Sequence, residues 1–314
     1  MIAAFTVTPY ERPVVLAGGP RGGWHLRLED AFGRVGFGDA APWPGFGPTV
    51  SDVSGDLSAL SARVRDGATP GAALFAGYPA VVVHAVSLAL ADLESQRRGL
   101  PLSALYGAVP VLGARTHVLV DDADEAASAI RIGATTLKLK LGRRPLVEDL
   151  ARVARVRAAA PGAALRLDVN GRWTRAQAEA AFDALLVHRP DWIEQPLPAA
   201  DFEGHGGLAQ RFSTPIALDE SVVLDPGAAM DVASVMVLKP MFLGDLAETM
   251  ALALAAQART LGVCLTHALG SKVERVGVQH LAAALADDAV HGVGRPVDGD
   301  RVALSLEPGL GVSP

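Results

Sequence analysis

From Thr116 onward the sequence keeps one rhythm: a short apolar run, a polar or charged residue at its end, then an Ala-rich amphipathic stretch. The apolar runs are THVLVDD, TTLKLKLG, ALRLDVN, DWIEQP, PIALDE, SVMVLKP, GVCLTHA and AVHGVG. Runs this short, bounded by turn residues, read as strands. The stretches between them, for example Pro145–Ala159, Thr174–Val187, Asp245–Leu261 and Lys272–Ala286, read as helices, with Thr174 as an N-cap. Eight strand–helix alternations describe an α/β chain whose parallel strands close into a TIM-like barrel. The last unit is thin, with little room for a final helix.

Residues 1–100 follow another pattern. WHLRLED and RVGFGDAAPWPGFGP suggest twisted antiparallel strands and a Gly/Pro-rich loop, and residues 79–97 read as one long helix. The expectation is an α+β N-terminal capping domain over 1–100 and a barrel over 101–297. The final stretch, 298–314, contains the strand-and-turn pattern RVALSLEPGLGV, which could return to the first domain.

Bulk composition excludes several classes. Net charge is −6 with no basic block, so nucleic acid has no electrostatic footprint to bind. The longest apolar run, AVVVHAVSLALADL, is too short to span a membrane, and the N-terminus has no charged n-region or long apolar h-region. Cys264 is the lone cysteine, which excludes an internal disulfide and a multi-cysteine zinc site. These features lead to the expectation of a soluble cytoplasmic protein with a small-molecule partner. Oligomeric state is not legible.

One strand is chemically unusual. TTLKLKLG alternates leucine and lysine, so Leu137, Leu139 and Leu141 face one way while Lys138 and Lys140 face the other. The chain has 28 Lys plus Arg, of which only Lys138, Lys140, Lys239 and Lys272 are lysines. A crowded or desolvated lysine can give up its proton, which arginine does not do. Catalytic groups of such barrels lie at the C-terminal ends of strands. The residues at those ends are Lys138 and Lys140, then Asp168 and Asn170, Glu194, Asp219 and Glu220, and Lys239. Asp168, Glu194 and Asp219 would repel one another unless a divalent cation joined them. An all-oxygen set favours Mg2+, with Mn2+ as a possible substitute. The flanking lysines could then move a proton on a bound carboxylate substrate, each lysine's pKa being lowered by the others. Taken singly, Asp168 and Asp219 read equally well as helix caps, and Lys239 as a snorkelling surface cation. Their recurrence on consecutive strands, all at one end, favours a shared site.

In this order, KLK, LDVN, IEQP, LDES and LKP resemble the enolase superfamily, in its muconate-lactonizing subgroup. That resemblance covers essentially the whole chain. It implies a modified (β/α)7β TIM-like barrel with an α+β capping domain, Mg2+, and opposed lysines on the second and sixth strands. GFGDAAPWPGFGPTV, LRLDVNGRWT and VLKPMFLGD further resemble the o-succinylbenzoate synthases of that subgroup. The resemblance implies that Lys140 takes the proton alpha to the substrate carboxylate and returns it to the departing hydroxyl, in a syn elimination of water. Lys138 would anchor a carboxylate and tune Lys140, and Lys239 would stabilise the anion from the other face by charge and cation–π attraction. Asp168, Glu194 and Asp219 would hold Mg2+. Asn170 and Glu220 would orient ligands, and Arg166 would share the inward face. Gly36, Gly38, Gly45 and Gly47 would let the first of these stretches move as a closing loop, while Trp43 and Phe46 exclude water.

The sequence departs from the family pattern after the seventh strand, where THALGSKVERVG replaces small hydroxyl-rich residues. Lys272 reads equally as a partner for a substrate tail carboxylate or as a surface cation, and His267 as a core or capping histidine. N-succinylamino acid racemization remains an alternative, since opposed lysines suit 1,1-proton transfer. Dipeptide epimerization is disfavoured, because AVHGVGRP has no Asp-rich motif to hold an ammonium. Muconate cycloisomerization and a non-catalytic anion- or metal-binding relative complete the set.

Overall fold

The computed structural model describes residues 2–14, 19–43, 46–66, 68, 75, 77–107, 113–285, 288–294 and 301–314. Strands β1 (Ile2–Val14), β2 (Gly19–Asp30) and β3 (Val35–Ala40) form an antiparallel sheet in chain order. Helices α1 (Val50–Arg65) and α2 (Ala80–Arg98) accompany it, and α2 lies directly on β3. The approach is very close. A Cβ on Gly36 would fall 2.1 Å from the Ala89 carbonyl oxygen, and one on Gly38 would fall 1.8 Å from that of Ala85. These two glycines therefore admit the helix backbone to the sheet. This corrects the expectation that they loosen a loop, since the chain is still strand through Ala40. Gly47 does take a positive φ of 136°. Gly45 lies outside the described residues.

After the short helix α3 (Ser103–Tyr106) and strand β4 (Gly113–Thr116), the barrel begins. Its strands are β5 (Val118–Val120), β6 (Thr136–Lys140), β7 (Ala164–Asp168), β8 (Trp192–Glu194), β9 (Ile216–Leu218), β10 (Val235–Leu238) and β11 (Gly262–Leu265). Among the described residues they pair in parallel, in chain order, as one seven-stranded sheet. Between them run α4 (Ala123–Arg131), α5 (Leu146–Ala159), α6 (Arg175–Leu185), α7 (Phe202–Arg211), α8 (Glu220–Leu224), α9 (Pro226–Val232), α10 (Pro240–Leu243) and α11 (Leu246–Ala258), with α12 (Lys272–Ala284) after β11. An eighth strand, β12 (Val290–His291), closes the curl. Gly292 bridges Thr266 on one side, and His117 N–H donates to the His291 carbonyl on the other at 2.9 Å. Among the described residues no helix is long and apolar enough to cross a membrane.

Local sequence explains the helix starts. Thr174 and Gln177 form a reciprocal capping box ahead of α6, and the Asp122, Asp225 and Asp245 side chains cap α4, α9 and α11. The strands obey a period of two. Leu137, Leu139, Leu165, Leu167, Ile193, Ile216, Leu218, Met236, Leu238 and Leu265 pack outward into the helix layer as one core. Trp192, Ala217, Val235, Val237 and Cys264 form a separate cluster inside the barrel. The residues sharing that inner face at the strand ends are the charged ones.

The C-terminal strand β13 (Arg301–Ala303) pairs antiparallel with β4, so it does not join the capping sheet. The turn after it does reach α2, where Leu310 N–H donates to Asp92 Oδ1 at 2.8 Å. Residues 298–300 lie outside the described set.

Candidate active site

Register fixes the row of charges. Lys140 is level with Asp168 across β6 and β7, and Asp168 is level with Glu194 across β7 and β8. Asp219 follows β9 and Lys239 follows β10. Counting from β5 as the first of the eight barrel strands, β6 is second and β10 sixth, so Lys140 and Lys239 stand on opposite walls. Asn170 and Glu220 join the same rim.

The carboxylates are met by ammonium groups. Lys138 Nζ donates to both Glu194 oxygens at 2.7 Å and lies 2.9 Å from Asp168 Oδ2. Lys140 Nζ donates to Asp168 Oδ2 at 2.8 Å and to Asn170 Oδ1 at 2.7 Å. Asn170, in the left-handed region at φ 50°, passes the contact on by donating to Glu220 Oε1 at 3.1 Å. Lys239 Nζ pairs with Asp219 Oδ2. Lys140 has the most open side chain of the three, 29% exposed against 9% for Lys138 and 16% for Lys239. It is the one best placed to meet a ligand.

The electrostatics reverse one expectation. Burial alone would lower the Lys138 pKa, but Asp168 and Glu194 outweigh it, and Lys138 ends raised. Lys239 is likewise raised, because Asp219 and Glu220 outweigh burial. Carboxylates, closer than the neighbouring cations, set the sign. Asp168 is buried, yet two ammonium groups hold its carboxyl far below the usual range. Glu194 is pushed up to about 7 by burial and by Asp168, with Lys138 opposing. Asp219 is pushed up to about 6 by burial and Glu220, against Lys239.

As the side chains stand, no group of three or more His, Cys, Asp or Glu among the described residues closes around a metal. The carboxylates are drawn instead onto the lysines. The donor set still fits a hard cation. Asp168, Glu194 and Asp219 converge from neighbouring strands, Lys138 Nζ already bridges two of them as a positive charge, and Asp219 Oδ1 and Glu220 Oε2 are buried without a partner.

Other sequence candidates fall nearer or farther. Phe46 stacks on Phe242, ring centroids 4.7 Å apart, and Lys239 Nζ sits 4.4 Å from the Phe46 centroid. The capping loop therefore supplies a cation–π partner to Lys239. Arg166 points inward, but toward the opposite end of the barrel. It bonds Asp191 Oδ2 at 2.9 Å and the Val290 carbonyl at 2.6 Å, and lies over the Trp192 ring at 3.6 Å. It therefore lies beneath the lysines rather than beside a ligand. Lys272 is exposed on the first turn of α12 and makes no ion pair with a described residue.

Sequence reasoning missed two groups. Gln195, fully buried at φ 42°, accepts from the Asp219 and Ser221 N–H groups, both at 3.1 Å, and donates to Ser221 Oγ at 2.7 Å. It thus fixes the strand end that presents Asp219. Its only signal was its place after Glu194 in IEQP. The second group is a buried cluster where cap meets barrel. Tyr10 donates to Asp39 Oδ1 at 2.8 Å, Ser271 N–H donates to Asp39 Oδ2 at 2.6 Å, and Ala268 N–H donates to Glu274 Oε1 at 2.7 Å. Arg21 bonds the Ala268 and Ala41 carbonyls and lies over Trp43. No local pattern announces it.

A family model described as enolase C-terminal domain-like matches residues 121–314. The o-succinylbenzoate synthase of Thermosynechococcus vestitus is 35% identical over 226 residues, 68% of this chain and 66% of that one, just under two thirds of the relative's length. A hydrophobic dipeptide epimerase of Citrifermentans bemidjiense is 30% identical over 301 residues, 84% of this chain and 80% of that one. The muconate lactonizing enzyme of Pseudomonas putida superposes with a TM-score of 0.86 at 22% identity, covering 100% of this chain and 97% of that one. The last likeness is one of fold: a curled parallel sheet under an N-terminal cap.

Proposed function

This chain belongs to the enolase superfamily, a superfamily of enzymes that generally use Mg2+, and from that premise we propose that it is an o-succinylbenzoate synthase. The substrate would be 2-succinyl-6-hydroxy-2,4-cyclohexadiene-1-carboxylate, and the product would serve menaquinone biosynthesis. The opposed lysines, Lys140 and Lys239, flanking the carboxylates of three consecutive strand ends support proton abstraction beside a carboxylate. The observation that favours the synthase among such reactions is the 35% identity to the Thermosynechococcus vestitus enzyme.

In this reading Asp168, Glu194 and Asp219 hold Mg2+, which supplies positive charge beside the substrate carboxylate. Lys140 Nζ, the most open of the three lysines, would act as the base that takes the proton alpha to the carboxylate. The C–H electrons move toward the carboxylate, and the same Nζ gives the proton to the hydroxyl on the same face. The C–O bond breaks, water leaves, and the ring becomes aromatic. Lys138 holds the Asp168–Glu194 pair and adds positive charge beneath the site. Lys239 remains an ammonium over the opposite face, a state its raised pKa favours. Asn170 holds Lys140 in line, and Phe46 shields the site from water.

A second reading, 1,1-proton transfer on a dipeptide or an N-succinylamino acid, is supported by the epimerase relative, which aligns over more of the chain. The test is a spectrophotometric assay of Mg2+-loaded protein with the cyclohexadiene substrate, beside Lys140→Ala. Lys140-dependent formation of o-succinylbenzoate is expected. No conversion by folded, loaded protein, together with solvent deuterium entering the alpha position of a dipeptide or N-succinylamino acid, would give the assignment to the second reading.

A further inference from the structure

The loop after β11, residues 266–271, is held from every side. Glu274 accepts Ala268 N–H, Arg21 bonds the Ala268 carbonyl, Arg12 bonds the Gly270 carbonyl, and Asp39 accepts Ser271 N–H. Gly270 is so enclosed that a Cβ would meet Asp39 Oδ2 and the Glu274 Cβ at 2.9 Å. Within this clamp Leu269 takes a left-handed backbone, φ 58°, which a leucine rarely adopts. That conformation aims Leu269 N–H at His267 Nδ1, 3.2 Å away. A ring nitrogen that accepts carries no proton, so the neutral imidazole bears its hydrogen on Nε2. Nε2 makes no hydrogen bond with a described residue, and it is not among the buried unpartnered atoms. The loop therefore presents one oriented, open N–H donor.

The charges around it have one dominant sign. Arg275, Arg12, Lys239 and Arg21 all act on His267 in the direction that disfavours protonation, adding to the effect of burial. Arg275 is half-buried and makes no ion pair with a described residue. The acids nearby each have a partner, Asp219 in Lys239, Asp39 in Tyr10 and Ser271, and Glu274 in Ala268, with Asp219 Oδ1 and Glu274 Oε2 left unpaired. An oriented neutral donor among cations, within electrostatic reach of Lys239, suits an anion and repels an ammonium.

We propose that His267 Nε2–H and Arg275 form a subsite for a second, distal carboxylate of the substrate, which makes the natural substrate a dicarboxylate. The inference deepens the proposed function and rests on the lysine–carboxylate rim being the reacting site. Lys272, exposed on the first turn of α12, takes no part.

The experiment is calorimetric titration of Mg2+-loaded protein with o-succinylbenzoate and with its amide at the succinyl terminus, which has the same shape and one charge fewer. The wild type should bind the acid about tenfold or more tightly than the amide, the scale of a charge-assisted hydrogen bond. His267→Ala and, independently, Arg275→Ala should abolish most of that preference, the acid's affinity falling much further than the amide's. His267→Gln, which keeps a donor, should retain part of it. No preference in the wild type, no binding of either ligand, or a preference that survives both alanine variants would overturn the subsite. Each outcome separates from the fate of the reaction. Turnover of the cyclohexadiene without an acid preference sinks the subsite alone. An acid preference without turnover sinks the synthase reading alone.

Discussion

Two regions of this molecule bury charge, and they use it differently. At the barrel rim, Lys138, Lys140 and Lys239 are paired with Asp168, Glu194 and Asp219, side chain to side chain, while Asp219 Oδ1 and Glu220 Oε2 are left without partners. At the junction of cap and barrel, Arg12, Arg21, Asp39 and Glu274 spend their charge on backbone groups of one loop. The rim keeps charge in a form that a ligand can redistribute. The junction has converted its charge into a fixed loop conformation. Burial therefore does not distinguish a reacting site from a structural one. Nor does complete pairing, since the junction keeps Arg21 Nε and Glu274 Oε2 unpaired as the rim keeps Asp219 Oδ1 and Glu220 Oε2. What distinguishes them is whether the charges meet other side chains or are fixed on backbone groups.

The largest effect should come from the rim. Lys140→Ala is expected to lower turnover by roughly a hundred- to ten-thousandfold, the scale of general acid–base catalysis, with the fold retained. A variant retaining a tenth or more of the wild-type rate would take Lys140 out of the chemistry.

The junction should fail in the opposite way. Arg21→Ala leaves the Ala268 and Ala41 carbonyls and nearby acids uncompensated, and should cost about 3 kcal/mol in urea unfolding, the scale for breaking a buried charged contact. A change below about 0.5 kcal/mol, ordinary for a surface site, would erase the contrast between rim and junction.

Glu274 sharpens the comparison through pH. Burial pushes its carboxyl up to about 7 from 4.5, with Asp39 adding to the rise. The folded chain then holds this proton more tightly than the unfolded chain does. Its contribution is therefore most favourable below pH 4.5, declines as pH rises toward 7, and is constant above that. The total is at most about 3 kcal/mol. Glu274→Gln keeps an acceptor for Ala268 N–H but cannot ionise. Its melting temperature should gain on the wild type between pH 5 and 8, and parallel pH profiles would contradict the assignment.

The smallest effect belongs to Phe46, which the cap contributes to the rim. Phe46→Ala removes a cation–π contact of about 1 kcal/mol, so KM should rise several-fold with a smaller change in kcat. A change in kcat alone would instead make Phe46 part of the reacting surface.

Much of the rim was legible in the sequence, and the junction was not. Leu137, Leu139 and Leu141 alternate with Lys138 and Lys140, and period-two geometry sends the two sets to opposite faces whatever surrounds them. The same rule pointed Arg166 inward, but its partners at the far end of the barrel come from Asp191 and Val290, which the local pattern cannot locate. Gly36 and Gly38 looked like a loop because glycine weakens a strand. The backbone of α2 is what requires them. Lys272 was placed on a helix start correctly, yet its exposure depended on packing that sequence spacing does not express.

By itself, then, the sequence determined the alternation of strands and helices, the end of the barrel at which the polar groups gather, and which lysines and acids those are. All three follow from contacts between near neighbours along the chain. Only the tertiary structure decided which acid meets which lysine, and hence that Lys138 and Lys239 are raised rather than lowered. It also decided that Asp39, Arg21 and Glu274 converge on one loop, and that a strained Leu269 turns His267 into a donor. Those outcomes depend on residues far apart in the chain, whose charges act on one another only after the cap has docked and water has been excluded.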